Sequence, residues 1–555
     1  FSSMYLVIFF NDLITRAGLP TTTDLAMGFV LIALLLEATR RVSNPILPGI
    51  AIFSLLYCYF GRYFPDMFAH RGFDIPRIVN HMYLGTEGIF GVPLGVSSTF
   101  VFMFILFGTF LEQTGMGKFI IDLAMAIAGW STGGPAKVAV VSSGLMGTIS
   151  GSSVANVCTT GMFTIPLMKS VGYRPYFAGA VEAVASTGGQ IMPPVMGAAA
   201  FIMAEFLGIP YIKVALAAVI PALLYYLAVI VQVHLEASRL GLKGLPREQL
   251  PHIWSLLKSK GQLLIPLIGI IYILLAGYTP IKAAFYGILL NMACSYLNRE
   301  TALTLPKYRN ALENGARTAL GVAAACATVG MVVGMATLTG LGLRIAGAIV
   351  EIAHGSLIVT LIMTMITSIL LGAGLPTTAN FIVTSTMAAP ALFALGVPPI
   401  AAYMFVLYFG IAADLSPPVA LAAYAGAGIA GDDPMKTGFT AMKLALAGFL
   451  VPYIYIYNPM LVLVNPEPLS LTLSVVTAII GVFLLGIGTI GFYKAQVHWI
   501  LRIVAMAGAL GLMIPGLKSD LVGLAVLVGL HLLQSKKAKR AKASPAEPVC
   551  EETKD

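Results

Sequence analysis

The sequence predicts an all-α polytopic membrane protein built around two copies of one helix-breaking unit. Three observations lead there. The 555 residues are 58% hydrophobic and only 10% charged, with a mean hydropathy of +0.89. A soluble globular domain carries about 25% charged residues, so most of this surface has to face lipid. A spanning helix needs about 20 apolar residues, and the chain offers roughly 14 to 17 such segments, some too short to cross fully. Finally, the stretch from Gly147 to Pro210, apolar yet rich in Gly, Ser, Thr and Pro, recurs 224 residues later, as Asn156 does at Asn380. In the same register Pro166 falls on Pro390, Gly172 on Gly396, Pro175 on Pro399, Pro193-Pro194-Val195 on Pro417-Pro418-Val419, and Pro210 on Pro434. Apolar segments match by chance in composition, but not in the register of five prolines.

The elements follow in order. Phe1 is not a methionine, and the reading is that an N-terminal part precedes it; no signal peptide with a cleavage site is recognised. Residues 4–10 are too short to span alone. Ala26–Leu36 and Ile46–Phe60 are apolar, and Arg40-Arg41 between them marks a cytoplasmic turn. From Gly61 to Gly95 the chain is polar; His70 and His81 lack a third partner at metal-ligand spacing, so a solvated or interfacial face is the better reading. The run from Pro93 to Phe110, with Ser97, Ser98 and Thr99 inside it, reads as a re-entrant hairpin, which lipid tolerates only where protein or a wet cavity covers it. Its second-copy counterpart is Ala324–Gly340, where Gly330 and Gly334 form a GxxxG that signals close packing alone.

Tyr211–Leu235 is the next span, and residues 239–261, carrying Arg239, Lys243, Arg247, Lys258 and Lys260, form a basic cytoplasmic linker. Leu263–Ala276 and Ile281–Tyr296 span, followed by a polar loop over 298–310. Past the second copy lie apolar segments near 469–492, 498–515 and 519–533, then a basic tail from Lys536 that reads as a disordered anchor against anionic headgroups. The expected organisation is therefore residues 1–85 as N-terminal membrane helices and connector, 86–238 as the first repeat, 239–311 as linker and scaffold helices, 312–458 as the second repeat, 459–533 as C-terminal helices, and 534–555 as tail. The five cysteines, Cys58, Cys158, Cys294, Cys326 and Cys550, show no CxxC or CxH pairing and read as small buried thiols. The net charge of +9 sits largely in loops and tail, which in a membrane protein concerns topology and lipid rather than nucleic acid.

The two copies carry different connectors. Lys169 and Arg174 follow Pro166, whereas the segment after Pro390 has no charge. The positive-inside rule then puts the first connector in the cytoplasm and the second outside, as an inverted repeat requires.

The broken stretches concentrate oxygen. Ser150, Ser152, Ser153 and Asn156 cluster in one, and Thr377, Thr378 and Asn380 in the other, behind Gly372-Ala-Gly374-Leu-Pro376. Proline frees a carbonyl four residues earlier, and glycine lets the backbone leave the helix without strain. Unwound carbonyls and half-helix C-termini coordinate Na⁺ in transporters, while half-helix N-termini offer positive ends to an anion. The competing reading is that Ser and Thr bond back to their own helices and Asn bridges neighbours. Gln190 and Asp414 occupy matching positions ahead of the two proline pairs. An intramembrane carboxylate such as Asp414 is a candidate cation ligand or proton carrier, against the alternative of a buried Asp satisfied by backbone N–H groups. Glu182 is similarly placed but matches Val406, so any role it has is asymmetric.

The runs ISGSSVANVCTTGMFTIPLMKSVGYRPYFAGAVEAVASTGGQIMPP, GAGLPTTAN and DLSPPVALAAYAGAGIAG resemble the large membrane subunit of tripartite ATP-independent periplasmic (TRAP) transporters, over about residues 20–460. The match looks closest to the fused small-plus-large permease of the TAXI type. That resemblance implies an elevator-type secondary transporter of the bacterial inner membrane, driven by Na⁺ or, in TAXI members, by H⁺, with no organic cofactor. It implies a small organic anion, dicarboxylate or 2-oxoacid in character, delivered by a periplasmic substrate-binding protein. Residues 1–85 would be small-subunit-like. The family's cation sites carry over to Ser150, Ser152, Ser153 and Asn156 with the backbone near Gly189, and to Thr377, Asn380 and Asp414. The substrate would lie between hairpin tips near Ser97, Ser98 and Thr328, with no intramembrane Arg in reach. A channel is disfavoured because there is one internal pair of breaks and no repeated filter, and an enzyme because His234, His252 and His354 stand near segment ends without a catalytic motif. The serious alternative is a cation- or proton-coupled symporter or antiporter working alone.

Overall fold

The structure is a computed structural model and describes residues 1–16, 18–42, 45–65, 68–513 and 516–543. Among these every regular element is a helix, apart from a two-residue antiparallel ladder pairing Phe492 with Gln496. In lipid every backbone polar group must be satisfied within the segment, and a helix does this locally. Among the described residues seven helices are long and apolar enough to cross: Ile46–Tyr63, Val92–Gln113, Tyr211–Leu240, Arg247–Leu275, Leu305–Thr339, Pro434–Tyr457 and Pro468–Ile490. Large apolar side chains stand outward along them and their neighbours, Leu343 and Leu469 each 75% exposed, which is a lipid-facing rather than a water-facing surface. At the N-terminus buried Asp24 gathers Ser2–Ile8, Phe10–Thr15 and Thr22–Val42 by accepting from Tyr5 Oη (2.7 Å), Arg16 Nη2 (3.0 Å) and the Thr21 N–H (2.7 Å).

The hairpins do not lie where the sequence suggested. Pro93–Phe110 belongs to the single helix Val92–Gln113, which passes Ser97–Val101 as a π-turn. The hydroxyls of Ser98 and Thr99 donate to the Gly95 carbonyl at 2.9 and 2.8 Å, so the small polar residues are satisfied inside their own helix and a π-bulge absorbs the irregularity. The counterpart Ala324–Gly340 is likewise the last part of the unbroken helix Leu305–Thr339.

Instead the hairpins sit one segment later. Hairpin one consists of Gly134–Ser150 and Ser153–Ser170, packed along each other and turned at Gly151-Ser152. Gly151 has φ +62°, and a Cβ there would lie 3.1 Å from the Met196 carbonyl oxygen, so both conformation and space call for glycine. Hairpin two consists of Leu357–Gly372 and Thr377–Met387, turned through 373–376. Each is followed by a broken helix: Pro175–Gly188 then Ala198–Leu207, and Pro399–Ala412 then Leu421–Ala430. The Pro193-Pro194 and Pro417-Pro418 bonds inside the breaks are both cis. The 224-residue offset thus holds for whole elements as well as for single residues.

The second halves of the broken helices change sides. Ala198–Leu207 packs on Thr377–Met387 and Pro399–Ala412, while Leu421–Ala430 packs on Ser153–Ser170 and Pro175–Gly188. Lys169 Nζ donates to the Ala430 carbonyl (2.8 Å) and the Tyr176 N–H to Asp432 (2.9 Å), fastening the exchange at one end. Backbone N–H donors from Asp433 and Tyr176 hold the Asp432 carboxyl below the usual carboxylate range.

Within the linker Ile253–Lys260 is helical. The expectation of a disordered tail is corrected for its first part: the last helix runs Leu517–Ala543, because the Lys- and Ala-rich stretch after Gln534 continues the helical register of the apolar segment before it. Residues 544–555, with Cys550, lie outside the described residues. Cys58, Cys294 and Cys326 are buried thiols as expected, but Cys158 is exposed on Ser153–Ser170.

Candidate functional site

The hairpin tips and the breaks meet at the centre of the fold. Hairpin one presents Ser150 at a helix C-terminus and Ser152 and Ser153 at the next N-terminus; the Ser152 hydroxyl caps the Ala155 N–H at 3.4 Å. Asn156, one turn in, is fully buried and its Nδ2 donates to the Ser143 carbonyl at 2.8 Å. Among the described residues its Oδ1 has no hydrogen-bond partner. The backbone of the first break is in close contact here: a Cβ on Gly147 would lie 2.4 Å from Gly189 Cα and 3.4 Å from Asn156 Nδ2.

Hairpin two repeats the construction with its own glycines. Asn380 Nδ2 donates to the Gly410 carbonyl at 2.6 Å, and Oδ1 again has no partner. A Cβ on Gly372 would lie 2.4 Å from Asn380 Nδ2, and one on Gly410 2.8 Å from Oδ1. A buried oxygen left unsatisfied costs about 1–3 kcal/mol, so two at equivalent positions ask for an explanation. Oxygen ligands from side-chain amides, hydroxyls and freed carbonyls are what a hard monovalent or divalent cation takes.

Between the tips lies a cavity of about 280 Å³. Hairpin residues Ser150–Ala155 and Leu375–Thr378 form two of its walls, Asp414 a third, and Phe104 and Thr318 of the long flanking helices close the far side. Four helix N-termini reach this wall, at Ser153, Ala198, Thr377 and Leu421. Asp414 is buried; its Oδ2 accepts from Ser153 Oγ at 2.6 Å and from Gln190 Nε2 at 3.3 Å. Gln190 and Asp414 are repeat equivalents, so the two breaks touch each other through equivalent residues.

The structure therefore brings together Ser150, Ser152, Ser153, Asn156 and Gly189 on one side and Thr377, Asn380 and Asp414 on the other. It separates Ser97, Ser98 and Thr328 from them. These lie inside helices and do not line the cavity; Thr328 Oγ1 is buried 2.7 Å from Thr39 Oγ1, and Ser98 is exposed. His70 and His81 face the carbonyls of Tyr57 (2.9 Å) and Gly334 (3.0 Å). Sequence reading missed the hydroxyls around Glu182, from Ser143, Thr160, Thr164 and Ser186. The spacings Thr160/Thr164 and Glu182/Ser186, four apart on helices, were the available signal.

Comparison with known proteins agrees with this architecture. The family model for the DctM component of tripartite ATP-independent periplasmic transporters matches residues 30–469, beginning inside the 1–85 stretch assigned to a small-subunit-like part. The Salmonella typhimurium protein YgiK is 24% identical over 372 residues, 65% of this chain and 83% of that protein. A Haemophilus influenzae putative TRAP transporter large permease protein is 28% identical over 194 residues, 34% of this chain and 45% of its own length. The isethionate TRAP transporter permease protein DctMQ of Oleidesulfovibrio alaskensis is 25% identical over 366 residues, 63% of this chain and 55% of its own. This chain, a multi-pass protein of the bacterial inner membrane, belongs to the DctM family and is a membrane component of a TRAP transporter.

Proposed function

We propose that this permease imports a small organic anion delivered by a periplasmic binding protein of the TAXI type, and that Na⁺, with H⁺ as the alternative, drives the cycle. The observation that carries the reading is the pair of buried, partnerless amide oxygens, Asn156 Oδ1 and Asn380 Oδ1, each enclosed by glycine backbone at a hairpin-and-break junction. The first cation site uses Asn156 with Ser150, Ser152, Ser153 and the backbone at Gly189. The second uses Asn380 with Thr377, and Asp414 supplies the neutralising charge nearby. The anion occupies the cavity between the tips. Among the described residues no Arg or Lys lines that cavity, and the four helix N-termini at Ser153, Ala198, Thr377 and Leu421 supply its positive potential. The hairpins and broken helices move as one body against the long flanking helices, carrying anion and cations across together.

The experiment is uptake into proteoliposomes holding the full chain, with a radiolabelled C4-dicarboxylate and 2-oxoglutarate as probes. Uptake should require both an inward Na⁺ (or H⁺) gradient and the cognate binding protein. Full-rate uptake without the binding protein would instead establish a carrier working alone.

A further inference from the structure

Glu182 sits in the middle of Pro175–Gly188 with no exposed surface. Its Oε1 lies 2.5 Å from Ser143 Oγ, 2.5 Å from Thr160 Oγ1 and 3.2 Å from Ser186 Oγ; its Oε2 lies 2.5 Å from Thr164 Oγ1. The aliphatic part is enclosed too. A Cβ on Gly161 would lie 3.1 Å from Glu182 Cγ and 3.5 Å from Ile429 Cδ1 of the half-helix that crosses from the other repeat.

The protons in this nest can be counted. Ser143 and Thr160 hydroxyls also meet each other at 3.0 Å, Thr160 Oγ1 lies 2.8 Å from the Asn156 carbonyl, and Thr164 Oγ1 lies 3.1 Å from the Thr160 carbonyl. With the four contacts to Glu182, seven contacts share four hydroxyl protons, and the two carbonyls can only accept. A proton on the carboxyl fills one more of them.

No cation offsets a charge here. Among the described residues Glu182 has no ion pair. The packed elements bring few titratable groups. Lys137 of Gly134–Ser150 is engaged with Ser131, and Lys169 of Ser153–Ser170 with the Ala430 carbonyl. On Tyr211–Leu240, Tyr225 and Tyr226 donate to the Val184 and Ala185 carbonyls, Glu236 pairs with Arg239, His234 stands two turns past Tyr226, and Lys213 is exposed. Tyr424 of Leu421–Ala430 donates to the Pro418 carbonyl, and Lys436 and Lys443 of Pro434–Phe449 are exposed. The hydroxyls solvate the carboxyl, but an ionised form would still be a fully buried charge without a counter-ion, which the enclosure disfavours.

Nor does the fold demand the group. At the equivalent positions of the second repeat stand Val406 for Glu182 and Gly410 for Ser186, on the matching helix Pro399–Ala412, and Ala388 for Thr164, just past Thr377–Met387, while Thr367 and Thr384 keep hydroxyls in place of Ser143 and Thr160. The carboxyl group and two of its four hydroxyls are an addition to one repeat. The nest also adjoins Asn156 through shared residues: the Ser143 carbonyl accepts from Asn156 Nδ2, and Thr160 Oγ1 donates to the Asn156 carbonyl.

From this geometry we propose that Glu182 is a proton-binding site, neutral while the first cation site is empty and deprotonated when that site fills. The Glu182 O–H bond breaks, its electron pair stays on the carboxylate, and the proton passes to water. The arriving cation is the positive charge that stabilises the carboxylate across Ser143 and Thr160, so one proton is exchanged per cation at hairpin one. The linkage is reciprocal: acid weakens cation binding and the cation expels the proton. The exchange rests on the cation reading above, whereas the protonated state of Glu182 does not.

The test uses the purified full chain and Glu182→Gln, which keeps the shape and cannot ionise. Difference infrared spectra, wild type against Glu182→Gln, should show the carbonyl stretch of a protonated carboxylic acid at neutral pH without Na⁺. Thr164→Val should shift this band without abolishing it. Adding sodium chloride should bleach the band and release about one proton per chain to a pH-indicator dye, and Glu182→Gln should release none. Half-saturating Na⁺ should rise about tenfold for each pH unit of acidification below the titration of the group in the wild type and be independent of pH in Glu182→Gln. Absence of the band overturns the proton site. A band that survives Na⁺ concentrations shown to raise the melting temperature overturns the exchange. A band without any Na⁺ effect on melting keeps the proton site and refutes the sodium sites instead.

Discussion

Replacing Gly147 by alanine adds one methyl group at the point where hairpin one and the first break touch. The new Cβ would stand 2.4 Å from Gly189 Cα, a backbone atom that has no rotamer to move into. Relief has to come from separating two pieces of main chain. Overpacking of this kind costs about 1–3 kcal/mol. If the first cation must draw hairpin and break together, that cost appears in its binding, and about 1–3 kcal/mol corresponds to a ~5- to ~150-fold weaker cation. Gly347→Ala is the control, because nothing lies within 4 Å of its Cβ and alanine is the better helix former. Both variants should be purified and assayed for Na⁺-dependent uptake and for melting temperature with and without Na⁺. Gly147→Ala should need more Na⁺ for half-maximal uptake and lose most of the Na⁺-dependent rise in melting temperature. Wild-type Na⁺ dependence in a folded Gly147→Ala protein would refute the idea that this junction closes around a cation.

Two further outcomes follow from the same geometry. Asp414→Asn should be nearly as damaging as Asp414→Ala, raising the Na⁺ requirement roughly a hundredfold or more, since losing one partner of a buried ion pair removes about 3–5 kcal/mol; recovery by Asn would mean that bonds to Ser153 and Gln190 are its whole role. Cysteines at Ser170 and Ala394, both exposed, each introduced after Cys158→Ser and Cys550→Ser have left only the three buried thiols, should label from opposite sides of the membrane because only the first connector is basic; labelling from one side would refute the inverted topology.

Much of this was already legible in the chain. Burial in lipid follows from composition, because a surface with so few charges has no other solvent. The repeat follows from prolines and glycines, whose backbone effects are local and survive in any context: Pro175 and Pro399 begin helices of matching bounds, and Gln190 and Asp414 were paired by register before they were found in contact. What only the tertiary structure decided is which polar stretch breaks its helix. Ser97-Ser98-Thr99 and Ser150-Gly151-Ser152 look alike in one dimension. The first stays helical because Gly95 has no neighbour pressing on it and its carbonyl takes the Ser98 and Thr99 hydroxyls. The second turns because Gly151 is held in a left-handed conformation against the Met196 carbonyl, brought there from the following break. Glu182 shows the same limit: its isolation among apolar residues was visible, but three of its four hydroxyls come from other helices, and a side chain's hydrogen-bond partners are set by packing rather than by its neighbours in sequence.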